Sequence, residues 1–445
     1  MTAEVLARSV VEELRRAGHE AYFVGGCVRD RLLDRPIKDF DVATDATPQD
    51  VKMLFPDAEL VGAAFGVVLV KAGGEVVEVA TYRVDHEYSD GRRPDGVTFT
   101  RSAEEDVQRR DFTINGLLYD PVERRVIDYV GGRKDLEAGI IRAIGEPARR
   151  FQEDRLRLLR AVRFAARFGF TIEAATLEAM RAQAARIADI AAERIRDELN
   201  RILTEGGARR GFELLDESGL LEHVLPEIKA MQGVEQPPQF HPEGDVWTHT
   251  LIMLEGLAAG CEPTLAMGVL LHDVGKPGTF VRAPDRIRFD GHVELGVELA
   301  TAICRRLRYS HADTEQILAL VKNHMRFGHV QEMRESKLKR FLRMDAFDEH
   351  LELHRLDCSS SHGNLDNYDY VRRRLDEIRS EPEGGLRPAP LLTGRDLIAA
   401  GYRPGPAFQP MLEAAEDAQL EGAVHTTAEA LELVRLRFPG ERPGG

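Results

Sequence analysis

Hydrophobic and polar positions follow different periods along this 445-residue chain. Up to about residue 145, short β-branched runs (Val67-Val68-Leu69-Val70 and Val76 to Ala80) alternate with glycine turns and short helical stretches, the pattern of an α/β unit. From Pro147 onward, Ala, Leu, Arg and Glu recur at helical spacing, punctuated by Gly169 and Gly206-Gly207. A linker-like stretch with Gly233 and Pro237-Pro238 leads into helical sequence rich in histidine, and the chain closes on amphipathic helices joined by glycine and proline turns. The pattern predicts a multidomain protein. It has an α/β head over residues 1–145, an all-α neck over 146–230, a histidine-rich helical body over 231–378 and a helical C-terminal segment over 379–445. There is no internal repeat.

Composition changes this picture in three ways. At 43% hydrophobic and 30% charged residues, the chain can bury substantial cores. It has no apolar run of membrane-spanning length and no secretory pattern before Tyr22, and its four cysteines lie far apart. These features lead us to expect a cytoplasmic protein without a disulfide framework or membrane contact. The net charge of -15 argues against nucleic-acid binding by the whole surface. Between Arg109 and Arg210, however, basic side chains outnumber acidic ones, which supplies a local basic face.

The densest chemistry lies near the start, in Phe23-Val24-Gly25-Gly26-Cys27-Val28-Arg29-Asp30 followed by Asp39-Phe40-Asp41. The run reads as strand, glycine turn, short helix and second strand. Residues two apart on a strand share a face, so Asp39 and Asp41 project together while Phe40 points into the core. Paired carboxylates raise each other's pKa unless a cation lies between them, and magnesium prefers carboxylate and phosphate oxygens. Gly25 and Gly26 let backbone approach a phosphate closely. A phosphate cradle beside a metal dyad points to nucleotidyl transfer; the bland alternative is a strand edge with two solvated aspartates.

Other candidates follow along the chain. Glu78, in an otherwise apolar strand, suits either an exposed edge or a third carboxylate at the metal. Arg110, Asp111 and Asn115 offer a guanidinium for phosphate and polar groups for ribose hydroxyls. After Pro147, Glu153, Asp154, Arg157, Arg160 and Arg163 fall three to four residues apart, and from Asp154 onward they are expected on one helical face. That face is either a surface salt-bridge row or a base reader. Cytosine and adenine present an amino donor beside a ring-nitrogen acceptor; uracil and guanine present a carbonyl beside a ring N–H. Asp154 accepting and Arg157 donating favour C and A, because the wrong base leaves buried polar groups unpaired. Farther on, His249, His272, Asp273, His292, His324 and Asp357 combine imidazole and carboxylate, a set that suits a divalent transition metal.

Residues 22–44, 109–120 and 153–164 resemble the successive motifs of bacterial class II tRNA nucleotidyltransferases, the family of CCA-adding, CC-adding and A-adding enzymes and poly(A) polymerases. The resemblance implies a polymerase-β-like nucleotidyltransferase sheet, then neck, body and tail. It implies that Asp39 and Asp41 bind Mg2+, that Gly26, Arg29 and Arg110 contact the triphosphate or sugar, and that Asp154 and Arg157 read the base with Arg160 and Arg163 in support. The segment Arg83–Asp106, with Tyr88, Arg92-Arg93-Pro94-Asp95 and Phe99, resembles the flexible loop of full CCA-adding members, and its length argues against a CC-only enzyme. The run Leu271-His272-Asp273-Val274-Gly275-Lys276-Pro277 resembles an HD phosphohydrolase domain. By that resemblance His249, His272, Asp273 and Asp357 hold one metal and His292 and His324 a second.

The expected partners are therefore tRNA, CTP and ATP, with no obligate protein partner. The expected output is CCA addition with a second phosphohydrolase activity. A-only or poly(A) addition is the alternative within the family, and an HD phosphohydrolase with a non-catalytic RNA-binding head is the alternative of another class. The last segment, from Leu391, suits either packing or docking of the tRNA elbow.

Overall fold

The computed structural model describes residues 2–62, 65–86, 96–380 and 385–439. Tyr88 and Arg92-Arg93-Pro94-Asp95 of the expected loop lie outside these residues. The chain forms two compact units. The first comprises Met1–Ala230, Leu257–Ala266 and Ile303–Tyr309; the second comprises Met231–Gly256, Met267–Ala302 and Ser310–Gly445.

The first unit opens with α1 (Ala3–Arg16), capped by the Thr2 hydroxyl, which accepts from the Val5 N–H. Leu6, Val10, Val11 and Leu14 recur at helical spacing and are fully or nearly fully buried. Each contributes about 1.5–3 kcal/mol on leaving water. Strands β1 (Ala21–Val24), β2 (Asp41–Thr44), β3 (Glu59–Gly62), β4 (Val67–Ala72) and β5 (Glu75–Thr81) follow, with α2 (Gly26–Leu32) after β1 and α3 (Pro48–Leu54) after β2. Next come β6 (Arg83–Asp85), β7 (Val97–Phe99), α4 (Ala103–Gln108), β8 (Leu117–Asp120), β9 (Arg125–Asp128) and α5 (Gly132–Ala138). Seven strands form one sheet in the order β3-β4-β5-β2-β1-β8-β9, and β6 pairs with β7 separately. Only β2 and β5 run parallel in the large sheet, with Asp41 opposite Glu78. Along β5, Val77, Val79 and Thr81 are buried while Val76 and Glu78 are exposed, so the strand period of two puts Glu78 on the Asp41 side.

The neck contains α6 (Pro147–Glu153), α7 (Arg157–Phe168), α8 (Ala174–Gln183), α9 (Ala192–Thr204), α10 (Ala208–Glu217), α11 (Leu221–Val224) and α12 (Pro226–Lys229). Helix α7 packs against α9 and α10 and buries Leu158, Leu159, Ala161, Val162 and Ala165. Farther along run α13 (Val246–Glu255), α14 (Pro263–Leu271), α15 (Lys276–Thr279), α16 (His292–Arg306), α17 (His311–Asn323), α18 (Glu335–Leu342), α19 (Phe347–Ser360), α20 (Asp366–Arg379), α21 (Gly394–Ala399), α22 (Phe408–Leu420) and α23 (Thr427–Arg437). One core of the second unit gathers Phe327, Phe341, Phe347, Val371 and Leu375; another gathers Leu397, Met411, Ala430 and Val434. Among the described residues no helix is long and apolar enough to cross a membrane.

Two local expectations are corrected. Strand β2 starts at Asp41, so Asp39 precedes it, because the register with β1 ends at the pair Val24–Asp41 where Gly25 turns the chain away. Phe40 is buried against Phe23 as expected, with ring centroids 5.3 Å apart. The second correction concerns residues 153–163, which do not form one helix. Asp154 is extended (φ -138°, ψ 104°) between α6 and α7, so it shares no helical face with Arg157. Its Oδ1 accepts the Leu156 N–H at 3.1 Å, a local side-chain bond that competes with continued helix. Arg157 Nη1 turns back to the Arg150 carbonyl at 3.1 Å and satisfies one of the free acceptors at the end of α6.

Candidate active site and metal centre

Gly25 joins β1 to α2 with φ +74°, a left-handed conformation that favours glycine. A Cβ there would lie 3.7 Å from Arg110 Nη1 and 4.0 Å from Asp41 Oδ2, so the turn brings backbone close to both a cation and a carboxylate. A cavity of about 440 Å³ opens beside it. Gly25, Gly26, Arg29, Asp41, Arg110, Asp111, Asn115, Asp154, Arg157, Arg160 and Arg163 all line it. Residues up to 142 apart in sequence are thus drawn to one hollow of the first unit. Asp39 lies in the adjoining cavity, which also includes Asp41, Gly26 and Arg29. Glu78 lines neither cavity but pairs in register with Asp41.

The electrostatics of the carboxylates differ sharply. Burial raises the Asp41 carboxyl to about 6, and the neighbouring Glu78 and Asp39 charges add to the rise against the pull of Arg110. Such a carboxylate gains most from a cation among its neighbours. Asp41, with Glu78 and Asp39 close enough to raise it, suits a hard oxygen-seeking ion such as magnesium, although the three carboxylates do not form one of the close ligand groupings among the described residues. Asp111 is the opposite case. Burial raises its pKa, but Arg160 and Arg157 overcome that and hold it well below the usual carboxylate range. Arg160 donates Nη2 and Nε to Asp111 Oδ2 at 2.6 and 2.9 Å, and Asn115 Nδ2 donates to Oδ1 at 3.1 Å.

The arginines are largely committed to partners. Arg29, buried, donates Nε to Asp30 at 2.8 Å and Nη1 to Asn115 Oδ1 at 2.6 Å. Arg163 is held by Glu198 at 2.7 Å and Glu205 at 3.2 Å. Arg157 bonds Glu153 at 3.0 Å and the Arg109 carbonyl at 2.9 Å. Asp154 is engaged not by Arg157 but by Arg194 of α9, at 3.2–3.3 Å. Both members of the expected base-reading pair line the cavity, each already bonded to other groups and not to the other. Arg194 and Glu198 were not legible as site residues, because they sit on a different helix from the groups they hold. Arg109, Phe164 and Arg167 also line the cavity. Phe164 carries the guanidinium groups of Arg29, Arg160 and Arg163 within 4.3–5.3 Å of its ring centre, a cation–π platform.

The second unit brings together all six histidine-rich candidates. The close groupings are His249, His272 and Asp357, and Asp273, His292 and His324. Asp273 therefore stands with His292 and His324, whereas the resemblance assigned it to the first metal; it also lies 3.1 Å from His272 and can face both groups. His272, His292 and His324 each hold Nδ1 against a backbone carbonyl three residues earlier, at 2.7–2.9 Å. A carbonyl only accepts, so Nδ1 carries the proton and Nε2 is a bare lone pair. The four Nε2 atoms are buried without a hydrogen-bond partner. His249 Nε2 lies 3.2 Å from Asp357, His272 3.1 Å, His292 3.9 Å and His324 3.8 Å from Asp273. Lone pairs facing carboxylate oxygens in a buried space repel unless a cation lies between them, so the donor set fits a divalent metal. Gly275 of the His272-Asp273-Val274-Gly275-Lys276 run is required sterically: a Cβ would sit 2.1 Å from the His292 carbonyl. Lys276 donates to Asp273 at 2.6 Å. His241 and Glu243, which the sequence did not single out, join the edge of this cluster.

Known proteins supply the context. A poly A polymerase head domain matches residues 21–142, a probable RNA and SrmB-binding site of polymerase A matches 169–232, and an HD domain matches 246–350. The chain is 41% identical to a CCA-adding enzyme of Lactobacillus johnsonii over 253 residues, 56% of this chain and 63% of that protein. It is 48% identical to one of Lactiplantibacillus plantarum over 197 residues, 44% of this chain and 48% of that protein. These matches span less than two thirds of the relatives' length. The crystal structure of the Bacillus stearothermophilus CCA-adding enzyme in complex with CTP superposes with a TM-score of 0.75 at 28% identity, covering 99% of this chain and 100% of that one. Head, RNA-binding region and HD domain thus follow one another along this chain, and the relatives and the solved structure it is similar to are CCA-adding enzymes.

Proposed function

We propose that this protein adds C, C and A in turn to the 3′ end of tRNA, with CTP and ATP as donors. The terminal ribose 3′-hydroxyl attacks the α-phosphorus; a phosphodiester forms as the bond to pyrophosphate breaks. Asp39 and Asp41, with Glu78 beside them, would hold two Mg2+ ions, which would supply a lowered hydroxyl pKa and charge stabilisation on the attacking and leaving oxygens. Gly25 and Gly26 allow close approach of the triphosphate, and Arg110 offers its guanidinium beside them. Asp154 accepts from the exocyclic amino group of C or A, and Arg157 donates to the adjacent ring nitrogen. The observation that carries this reading is that Asp154 and Arg157 line the same cavity as Gly25, Gly26 and Asp41. The CTP complex of the B. stearothermophilus relative supports it.

The test offers purified protein three tRNA transcripts, ending before CCA, after C and after CC, with labelled CTP and ATP. Incorporation of C, C and A in that order is the expected result. Addition of A only to the transcript ending in CC makes the protein an A-adding enzyme, and unlimited A addition to other RNA makes it a poly(A) polymerase. No incorporation at all leaves the head as an RNA-binding module.

A second reading concerns the second unit. The bare Nε2 atoms facing Asp273 and Asp357 favour a transition-metal phosphohydrolase there, with the metal supplying an activated water. A panel of phosphoesters that includes a 2′,3′-cyclic phosphate tests it, and no hydrolysis in metal-loaded protein would reduce the cluster to scaffold.

A further inference from the structure

His249 is held differently from the other three imidazoles. His272, His292 and His324 rest Nδ1 on the carbonyls of Val269, Phe289 and Val321. The equivalent carbonyl for His249 belongs to Val246, and it accepts the Thr250 hydroxyl at 2.9 Å. His249 Nδ1 instead meets Glu243 Oε1 at 2.7 Å, with the Ser360 hydroxyl more distant at 3.3 Å. Glu243 is fixed in turn by His241 Nδ1 at 2.8 Å, and the side chain is 8% exposed. The chain reaches this position through Gly244, whose φ of +130° favours glycine.

We propose that Glu243 is a positioning residue for the metal that His249, His272 and Asp357 would hold. The inference rests on the metal reading of this cluster. A carboxylate behind an imidazole fixes its tautomer and ring orientation and increases its basicity toward a metal, more than a neutral carbonyl does. The group containing His249 thereby becomes the tighter of two unequal sites, and the group of Asp273, His292 and His324, whose imidazoles are backed only by carbonyls, the weaker. Glu243 touches no substrate in this scheme; it acts through His249.

The experiment is a Co2+ titration of full-length protein followed by calorimetry and by the visible absorption of the bound ion. Asp39→Ala/Asp41→Ala is present throughout to silence the head. Two Co2+ equivalents of different affinity are expected. Glu243→Ala should weaken the tighter one by about 10–100-fold and leave the weaker unchanged. Glu243→Gln should weaken it less, because the amide oxygen still accepts from Nδ1 but carries no charge. Ser360→Ala should leave both unchanged. A merely structural role would lower the metal-free melting temperature and weaken both equivalents alike, which would overturn the proposal. Unchanged affinity in both Glu243 variants would overturn it too, with the metal reading intact. If the folded parent protein binds no Co2+, the metal reading itself fails and the proposal with it.

Discussion

The arginine-lined cavity of the first unit and the histidine centre of the second solve opposite electrostatic problems. In the cavity, charges come already paired: Arg29 with Asp30, Arg160 with Asp111, Arg163 with Glu198, Arg194 with Asp154. Asp41 and its neighbours Asp39 and Glu78 instead form a like-charged group, with Asp41 half-buried and Asp39 and Glu78 exposed. In the histidine centre, the four imidazole Nε2 atoms are buried and have no hydrogen-bond partner. A site for an exchanging polyanion and base needs donors whose positions survive substrate release, and mutual ion pairs hold them. A site for a resident ion leaves its lone pairs free, because the ion itself is the partner.

The sharpest break in this comparison comes at the like-charged group. Asp41→Ala removes the proposed metal carboxylate and should lower nucleotide incorporation by at least about 1,000-fold, as expected when several kcal/mol of charge stabilisation at the reacting oxygens are lost. Single-turnover labelling with tRNA lacking CCA reads it, and tRNA affinity by filter binding should stay near the parent value. Retained incorporation above a trace would remove Asp41 from the metal site.

The counterpart is His272→Ala/Asp273→Ala, which removes one ligand from each histidine-centre group. Co2+ binding there should vanish, as should any phosphoester hydrolysis, while CCA addition persists because its carboxylates lie in the other unit. Loss of nucleotide addition in a folded double variant would show that the two sites are coupled.

A smaller effect is expected at the base reader. Asp154→Ala should lower CTP incorporation by about 10–1,000-fold through loss of one or two charge-assisted hydrogen bonds. It should also lower the preference for CTP over UTP. Arg194→Ala, which frees Asp154 without deleting it, should shift the same preference in the same direction by less. Steady-state kcat/KM for the four nucleotides checks both; unchanged selectivity in Asp154→Ala would make this surface an ordinary ion-pair row.

The smallest effect is on stability. Without metal, Asp41 titrates at about 6, above its usual value of 3.8. Between those two values the folded protein binds more protons than the unfolded chain, so this group makes stability fall as pH rises through that window. In chelator, Asp41→Asn should flatten that part of the urea-midpoint profile. Excess Mg2+ should do the same at the upper end, by favouring the charged form. A parent profile identical to that of Asp41→Asn would show the carboxyl to be unperturbed.

Much of this architecture was legible in the residues. The glycine turn before Asp39-Phe40-Asp41 and the alternation in β5 are short-range patterns with strict steric meaning; the β2–β5 register, which no local pattern carries, then sets Asp41 opposite Glu78. The six metal candidates were visible as residue types. The helix expected across Asp154 was not legible correctly, because spacing alone does not reveal that the Asp154 side chain takes the Leu156 N–H and ends α6.

What the chain by itself determined is therefore the inventory: which carboxylates, guanidinium groups and imidazoles exist, and which elements carry them, since local sterics and periodicity act within a few residues. Only the tertiary structure decided the partnerships. Arg194 reaches Asp154 from 40 residues away, Arg160 reaches Asp111 from 49, and His249 meets Glu243 on one side and Asp357, more than 100 residues on, on the other. Ion pairs and lone-pair orientations depend on angstrom distances between separately folded elements, and sequence spacing carries no record of those distances.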